Sequence, residues 1–357
     1  MCLSNYIPMK LSRLLLIFSV ALLTVLVTCQ GQTLAQMSPN PSVDPQKYSF
    51  IVAGHAYGSH SGNNLGIYPK FLNNLSNVLG KKEIAFVIFT GDALRAPASE
   101  KAWQKAQEET DKLGLLAYFA LGNHDNSDYG SNFLHQKFGA TFYKFDIGSE
   151  RFIILDSQKD KLKIDQDQLD FLKQNLESGE NPKNIFILFH ELLWNKNPKY
   201  RQVFANNRSR YGWSELENSN FWEEIFPLLQ QYHSKNIYVI AGDTGGRPDS
   251  IPAFYEKLDN ISLISSGMGE IKDENYILVN VENGNVSFKL IPLNEKNNLR
   301  DLEFYNLKNI EELNNRNYIL QAKTVISSAL KDNSYWYGFL TGLFLAVFVF
   351  AFVARRK

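Results

Sequence analysis

LLAYFALGNHD, residues 115–125, is the stretch on which the fold reading turns. Its first seven residues are apolar without alternation, as in a strand buried on both faces. A glycine then opens a turn, and Asn123, His124 and Asp125 follow, three residues able to bind a metal or move a proton. The pattern recurs. Tyr48–Val52 leads to Gly54-His55-Ala56-Tyr57-Gly58, and Ile84–Phe89 to Thr90-Gly91-Asp92. Asn184–Phe189 leads to His190-Glu191, and Ile237–Ile240 to Gly242-Asp243-Thr244-Gly245. The intervening stretches Glu100–Leu113 and Gln166–Leu176 read as helices, so the chain reads as a layered α/β domain. In open α/β sheets, sites collect at the carboxyl ends of the strands. One Gly-Asp after a strand is ordinary turn chemistry; five such ends in one chain point to a shared site. Three of the six histidines (His55, His124 and His190) stand at these ends, and His60, His135 and His233 read as structural.

Composition narrows the chemistry. Lys plus Arg equals Asp plus Glu at 37 each over 357 residues, and the sequence carries no nucleic-acid-binding signal. Cys2 and Cys29 are the only cysteines, so residues 30–357 hold no disulfide, thiolate metal site or cysteine nucleophile.

The two ends suggest export and a membrane tether. Lys10 and Arg13 precede an apolar run, Leu14–Val27, and small residues around Ala35 suit a signal peptidase. Cleavage at Ala35 is the first expectation; cleavage at Cys29 and retention as an anchor stay open. Near the other end, Tyr335-Trp336-Tyr337 precedes an uncharged apolar run over 338–354, then Arg355-Arg356-Lys357. That predicts a single-pass helix over 335–354 with its basic tail, 355–357, in the cytoplasm and the domain on the exoplasmic side. The expected organisation is a signal or anchor over 1–35, a linker over 36–46, a domain over 47–292 and an Asn- and Lys-rich stalk over 293–334.

Gly91-Asp92, Gly122-Asn123-His124-Asp125 and His190, in that order and each after a strand, resemble the calcineurin-like metallophosphoesterase superfamily. The resemblance covers roughly residues 47–292 and implies a four-layer α-β-β-α sandwich with two mixed sheets. Tyr276–Val281 and Val286–Ile291 around Asn283-Gly284 would form its closing hairpin. By the same resemblance Asp92 bridges two metal ions, Asn123 and His190 are ligands, His124 is the acid or transition-state contact, and Asp125 orients it. The implied activity is hydrolysis of a phosphomonoester or phosphodiester by a metal-activated water. Mixed Asp, Asn and His ligands suit a divalent manganese, iron or zinc ion.

The chain departs from the family at its first and last motifs. Asp-x-His becomes His55-Ala56-Tyr57, and Gly-His-x-His becomes Gly242-Asp243-Thr244-Gly245. Arg95 replaces the acidic or amide residue that closes the second motif. Asp92, Asn123, His190 and Asp243 then make one complete metal site. The other keeps Asp92, His55 and Tyr57, a poorer set, so one tight ion is expected and a second is weaker. Arg95 and Tyr57 are read as substrate contacts. The alternative is a domain that has lost catalysis and serves as a binding or scaffold module at the membrane. A basic, aromatic insertion, with Lys199, Tyr200, Arg201, Arg208, Arg210, Tyr211 and Trp213, is read either as a cap over the site or as a solvated loop. Asn74, Asn207, Asn260 and Asn285 each begin an Asn-x-Ser triplet.

Overall fold

The computed structural model describes residues 43–310, apart from 60–61, 96–97, 178–181, 202, 205–206, 208–214 and 249, together with 336–338, 340–342 and 344. The signal segment, the tail, most of the expected spanning helix and Arg208, Arg210, Tyr211 and Trp213 lie outside the described residues. Among those described, no helix is long and apolar enough to cross a membrane.

The five apolar runs are strands: β1 (Lys47–Ala53), β2 (Phe86–Thr90), β3 (Leu116–Ala120), β6 (Asn184–Phe189) and β7 (Asn236–Ala241). The closing hairpin is present as β10 (Asn275–Glu282) and β11 (Asn285–Pro292). Four further strands, β4 (Tyr143–Ile147), β5 (Glu150–Ile154), β8 (Ala253–Leu258) and β9 (Ile261–Ser266), are additions to the sequence reading. Of these, β4 alternates buried and half-buried residues, and β9 carries three buried serines, so neither reads as an unbroken apolar run.

The strands form two mixed sheets. One has the order β11-β10-β1-β2-β3, with β1, β2 and β3 parallel. The other has the order β4-β5-β6-β7-β9-β8, with β5, β6, β7 and β9 parallel and antiparallel strands at both edges. Because side chains alternate across a strand, each inner strand supplies two apolar faces. Phe50 and Phe86 point between the sheets and meet Phe152 edge-on at 5.2 and 5.5 Å. Phe86 also meets Phe145 at 5.7 Å, and Phe50 meets Phe186 at 5.4 Å. Edge-to-face contact suits the ring quadrupoles, so this seam fixes how the sheets stack.

The opposite faces of the first sheet meet helices. Phe89 packs on Phe71 of α1 (Pro69–Leu79), and Phe119 on Trp103 of α2 (Glu100–Lys112). The Ser99 and Ser127 hydroxyls cap the first turns of α2 and of α3 (Asp128–Phe138), satisfying orphan backbone N–H groups. On the second sheet, α4 (Gln166–Glu177) is tied down by buried Arg151, which donates to the Asn175 carbonyl at 2.6 Å.

Residues 293–310, expected as the start of the stalk, pack on the domain. Leu302, Tyr305 and Ile310 are buried, and the Tyr255 N–H of edge strand β8 donates to the Tyr305 carbonyl at 3.0 Å. Residues 293–310 thereby cover an edge that would otherwise leave backbone groups unpaired.

The aromatic seam gives a direct test. Phe86→Ala removes a fully buried ring touching both sheets, and it should cost about 3–5 kcal/mol in denaturant unfolding. A loss below about 1 kcal/mol would mean that the seam does not hold the sheets together.

Candidate metal centre

The parallel strands of both sheets end on the same side, and their loops meet there. His55 follows β1, Asp92 follows β2, and Asn123 and His124 follow β3. His190 follows β6 and Asp243 follows β7. Glycine makes this approach possible. Gly91 has φ 84°, and a Cβ on it would lie 2.4 Å from Nδ1 of the His190 ring. A Cβ on Gly242 would lie 1.9 Å from the Thr90 carbonyl oxygen. No side chain fits at either place. His55 and Asp92 themselves have φ 52°, a left-handed backbone that is uncommon outside glycine and is held only by its surroundings.

His190 Nδ1 lies 3.0 Å from the Thr90 carbonyl. A carbonyl only accepts, so Nδ1 carries a proton and Nε2 faces the site. Nε2 lies near three oxygens: Asn123 Oδ1 at 3.2 Å, Asp92 Oδ1 at 3.4 Å and Asp243 Oδ1 at 3.9 Å. His55 Nε2 lies 3.1 Å from Asp243 Oδ1 and 3.4 Å from Asp92 Oδ2. One ligand atom each from His55, His190 and Asp243 falls within 4.8 Å of the others. Metal–ligand bonds of about 2.1 Å place neighbouring ligand atoms about 3.0–3.4 Å apart. Donor types and spacings therefore fit a transition ion. The buried His55 Nδ1 has no partner among the described residues.

Protonation reflects the same crowding. Burial pushes the Asp92 carboxyl well above the ordinary range, against the opposing charge of His55. Burial also pushes Asp243 upward, but the hydrogen bond from His55 and the charges of His190 and His55 hold it below the ordinary value. Two buried carboxylates thus differ, and a bound cation would favour the charged form of both.

The sequence reading assigned His55 to a first site and Asn123, His190 and Asp243 to a second; the structure gathers all of them with Asp92 in one cluster. Its inner members are buried, whereas Asn123 and His124 are half-buried, so the cluster opens on their side. The Asp125 carboxylate accepts the N–H groups of Ala93, Leu94 and Gly122 at 3.1, 2.9 and 3.1 Å, which locks the β2 loop to the β3 loop. Burial raises it to about 6 despite these bonds. Tyr57, read as a substrate contact, is only 2% exposed and lies against His124. Arg95 is half-buried on the Asp92 loop.

Within the basic insertion, Tyr200 is buried on Trp222, and Arg201 bonds Glu217 and the Lys196 carbonyl. These described parts pack the insertion down. Asn207 reaches the site, donating to the Asp243 carbonyl at 3.0 Å. Asn74 and Asn260 also donate to carbonyls, and Asn285 is exposed.

The sequence reading gave no role to Glu191. It is buried behind Asp243, accepts from Gln158 Nε2 at 2.7 Å, and is raised by burial and by the Asp243 charge to about 8. Only its position beside His190 hinted at this. Gln158, from the loop after β5, carried no sequence signal.

No protein-family model matches the chain, and no curated protein matches its sequence. Among solved structures it is similar to a purple acid phosphatase from yellow lupin (Lupinus luteus) seeds, with 16% identity and a TM-score of 0.49 over 74% of this chain and 54% of that one. It is similar to a protein from Staphylococcus aureus described as a 5′-nucleotidase, with 12% identity and a TM-score of 0.41 over 74% of this chain and 58% of that one. A third is zinc-complexed Vps29 from Entamoeba histolytica, with 11% identity and a TM-score of 0.31 over 69% of this chain and 99% of that one. The match thus spans little more than half of the lupin and staphylococcal chains. All three are calcineurin-like metallophosphoesterase superfamily members, the family that the motifs of this chain resemble.

The cluster predicts one tightly held transition ion per purified full chain by elemental analysis. Asp243→Ala should weaken that ion by more than the roughly 10–100-fold typical of losing an outer-shell partner. Two tight ions, or one indifferent to Asp243, would contradict a single-ion cluster.

Proposed function

We propose that this chain is a metal-dependent phosphoric ester hydrolase, acting on a phosphomonoester or phosphodiester. We infer further that it is exported and tethered to the membrane by its C-terminal apolar segment, with the domain on the exoplasmic side. The observation that carries the hydrolase reading is the gathering of His55, Asp92, Asn123, His190 and Asp243, each with an atom able to ligate a metal, in one buried cluster, with His124 at its rim.

Those five residues would hold a manganese, iron or zinc ion. When bound, the ion supplies positive charge for phosphoryl oxygens and acidifies a water. The rest falls to the chain. Substrate approaches on the half-buried side formed by Asn123 and His124. His124 Nε2, 3.9 Å from Asp92 Oδ2, donates a proton to the leaving oxygen. Asp92 Oδ1 accepts the His124 N–H at 2.9 Å and keeps that loop seated. Arg95, on the Asp92 loop, offers a guanidinium to the phosphate.

A second reading, a non-catalytic binding module, draws support from two replacements. Tyr57 is packed on His124, and Gly245 has no side chain to offer a second ion.

Turnover of generic mono- and diester substrates by the metal-loaded full chain tests the hydrolase. His124→Ala should lower kcat by about 100-fold or more with metal content unchanged. Equal activity would remove His124 from the reaction, and a wild type that binds metal but hydrolyses no phosphoester would favour the binding module. Protease added to spheroplasts should digest the domain; protection of the domain with an exposed tail would overturn the topology.

A further inference from the structure

We propose that Tyr57 is a positioning residue that sets the plane of the His124 imidazole. For its kinetic consequence this rests on the hydrolase reading; its structural content rests on geometry alone.

The Tyr57 and His124 ring centroids are 4.3 Å apart and their planes 16° from parallel. Tyr57 is 2% exposed, so one face of the His124 ring meets protein instead of water. Asp92 connects both partners. Its carbonyl accepts the Tyr57 N–H at 3.0 Å, and its carboxylate accepts the His124 N–H at 2.9 Å. One residue thus places the backbones of two loops that arrive from β1 and β3. The stacked rings complete the closure. Gly58, with φ 81°, turns the chain directly after Tyr57, where a Cβ would meet the Tyr68 ring at 2.5 Å. The tyrosine backbone is therefore fixed on both sides.

This matters because His124 is half-buried at the rim. An imidazole there has several side-chain rotamers and a broad second torsion. Few of these keep Nε2 near the cluster, where it lies 3.9 Å from Asp92 Oδ2. A flat contact against a rigid ring removes rotations that would swing Nε2 away. The ion and substrate phosphate would still bind without it. What is lost is the orientation of the proton donor, which acts in the transition state. The tyrosine also packs beside His55, with ring centroids 5.5 Å apart, so the platform borders the metal cluster.

The kinetic signature is a kcat effect. In the metal-loaded full chain, Tyr57→Leu should lower kcat roughly 10–100-fold with KM within about threefold and metal content unchanged. Tyr57→Phe keeps the ring and should restore kcat to within about threefold of wild type. A readout independent of turnover is the histidine ring C–H signals of the zinc-loaded full chain in detergent, with His124→Ala assigning those of His124. Ring-current displacement should appear in wild type and Tyr57→Phe and vanish in Tyr57→Leu. Unmoved His124 signals in Tyr57→Leu, or a Tyr57→Phe variant as impaired as Tyr57→Leu, would overturn the proposal. A wild type without phosphoester turnover would defeat the hydrolase reading, and the spectra would still decide the stack. If Tyr57→Leu does not fold, cross-relaxation between the Tyr57 and His124 rings in wild type decides: its presence supports the platform and its absence refutes it.

Discussion

The carboxylates of Asp92 and Asp243 meet the imidazole nitrogens of His55 and His190 at 3.1–3.9 Å in a buried cluster that opens toward Asn123 and His124. So many buried ionisable groups are unfavourable on their own. Burial of an unpaired charge costs several kcal/mol, and groups left free to move would turn outward or take up protons. Everything around the cluster prevents the first response. Left-handed backbone at His55 and Asp92 aims those side chains inward, and the Thr90 carbonyl fixes the His190 ring.

Neither sheet contains the cluster. The first contributes His55, Asp92 and Asn123, and the second contributes His190 and Asp243. Alignment across the gap therefore depends on how the sheets stack, and the aromatic seam of Phe50, Phe86, Phe145, Phe152 and Phe186 sets that stacking at the far side of the same strands. Glycine lets the ends close on each other: at Gly91 and Gly242 the opposing loop already fills the place of a side chain. Core packing and site geometry are thus one problem, in which the stability of the seam holds the strain of the loops.

The departures from the resembled family gain a spatial sense. A Cβ on Gly245 would lie 3.4 Å from Nδ1 of His55, so the His55 ring borders the space that a side chain at 245 would need. A histidine gained on the β1 loop stands beside the glycine on the β7 loop. Asp243 adds a carboxylate to the cluster as the first motif loses one, and burial and the Asp243 charge push Glu191 behind it up to about 8. Tyr57 stacks on His124 in the position of the other first-motif ligand.

Legible in the sequence were the five strands with the polar residues at their ends, the helices within 100–113 and 166–176, and the closing hairpin. Those features are local: an apolar run, a glycine and a polar residue are covalent neighbours, and period and turn chemistry reveal them. Tertiary structure alone decided the rest. The strands β4 and β5, with β8 and β9, depend on partners that cover their less apolar faces. Residues 293–310 look polar but seal the β8 edge. Asp125 bonds across 31 and 32 residues to brace a neighbouring loop, and Tyr57 finds His124 from a different strand. His55 and Asp243 are 188 residues apart, and their 3.1 Å approach exists only because two sheets stack. Sequence spacing named the chemical groups; which of them share one cluster was set by long-range contacts, which no local pattern encodes.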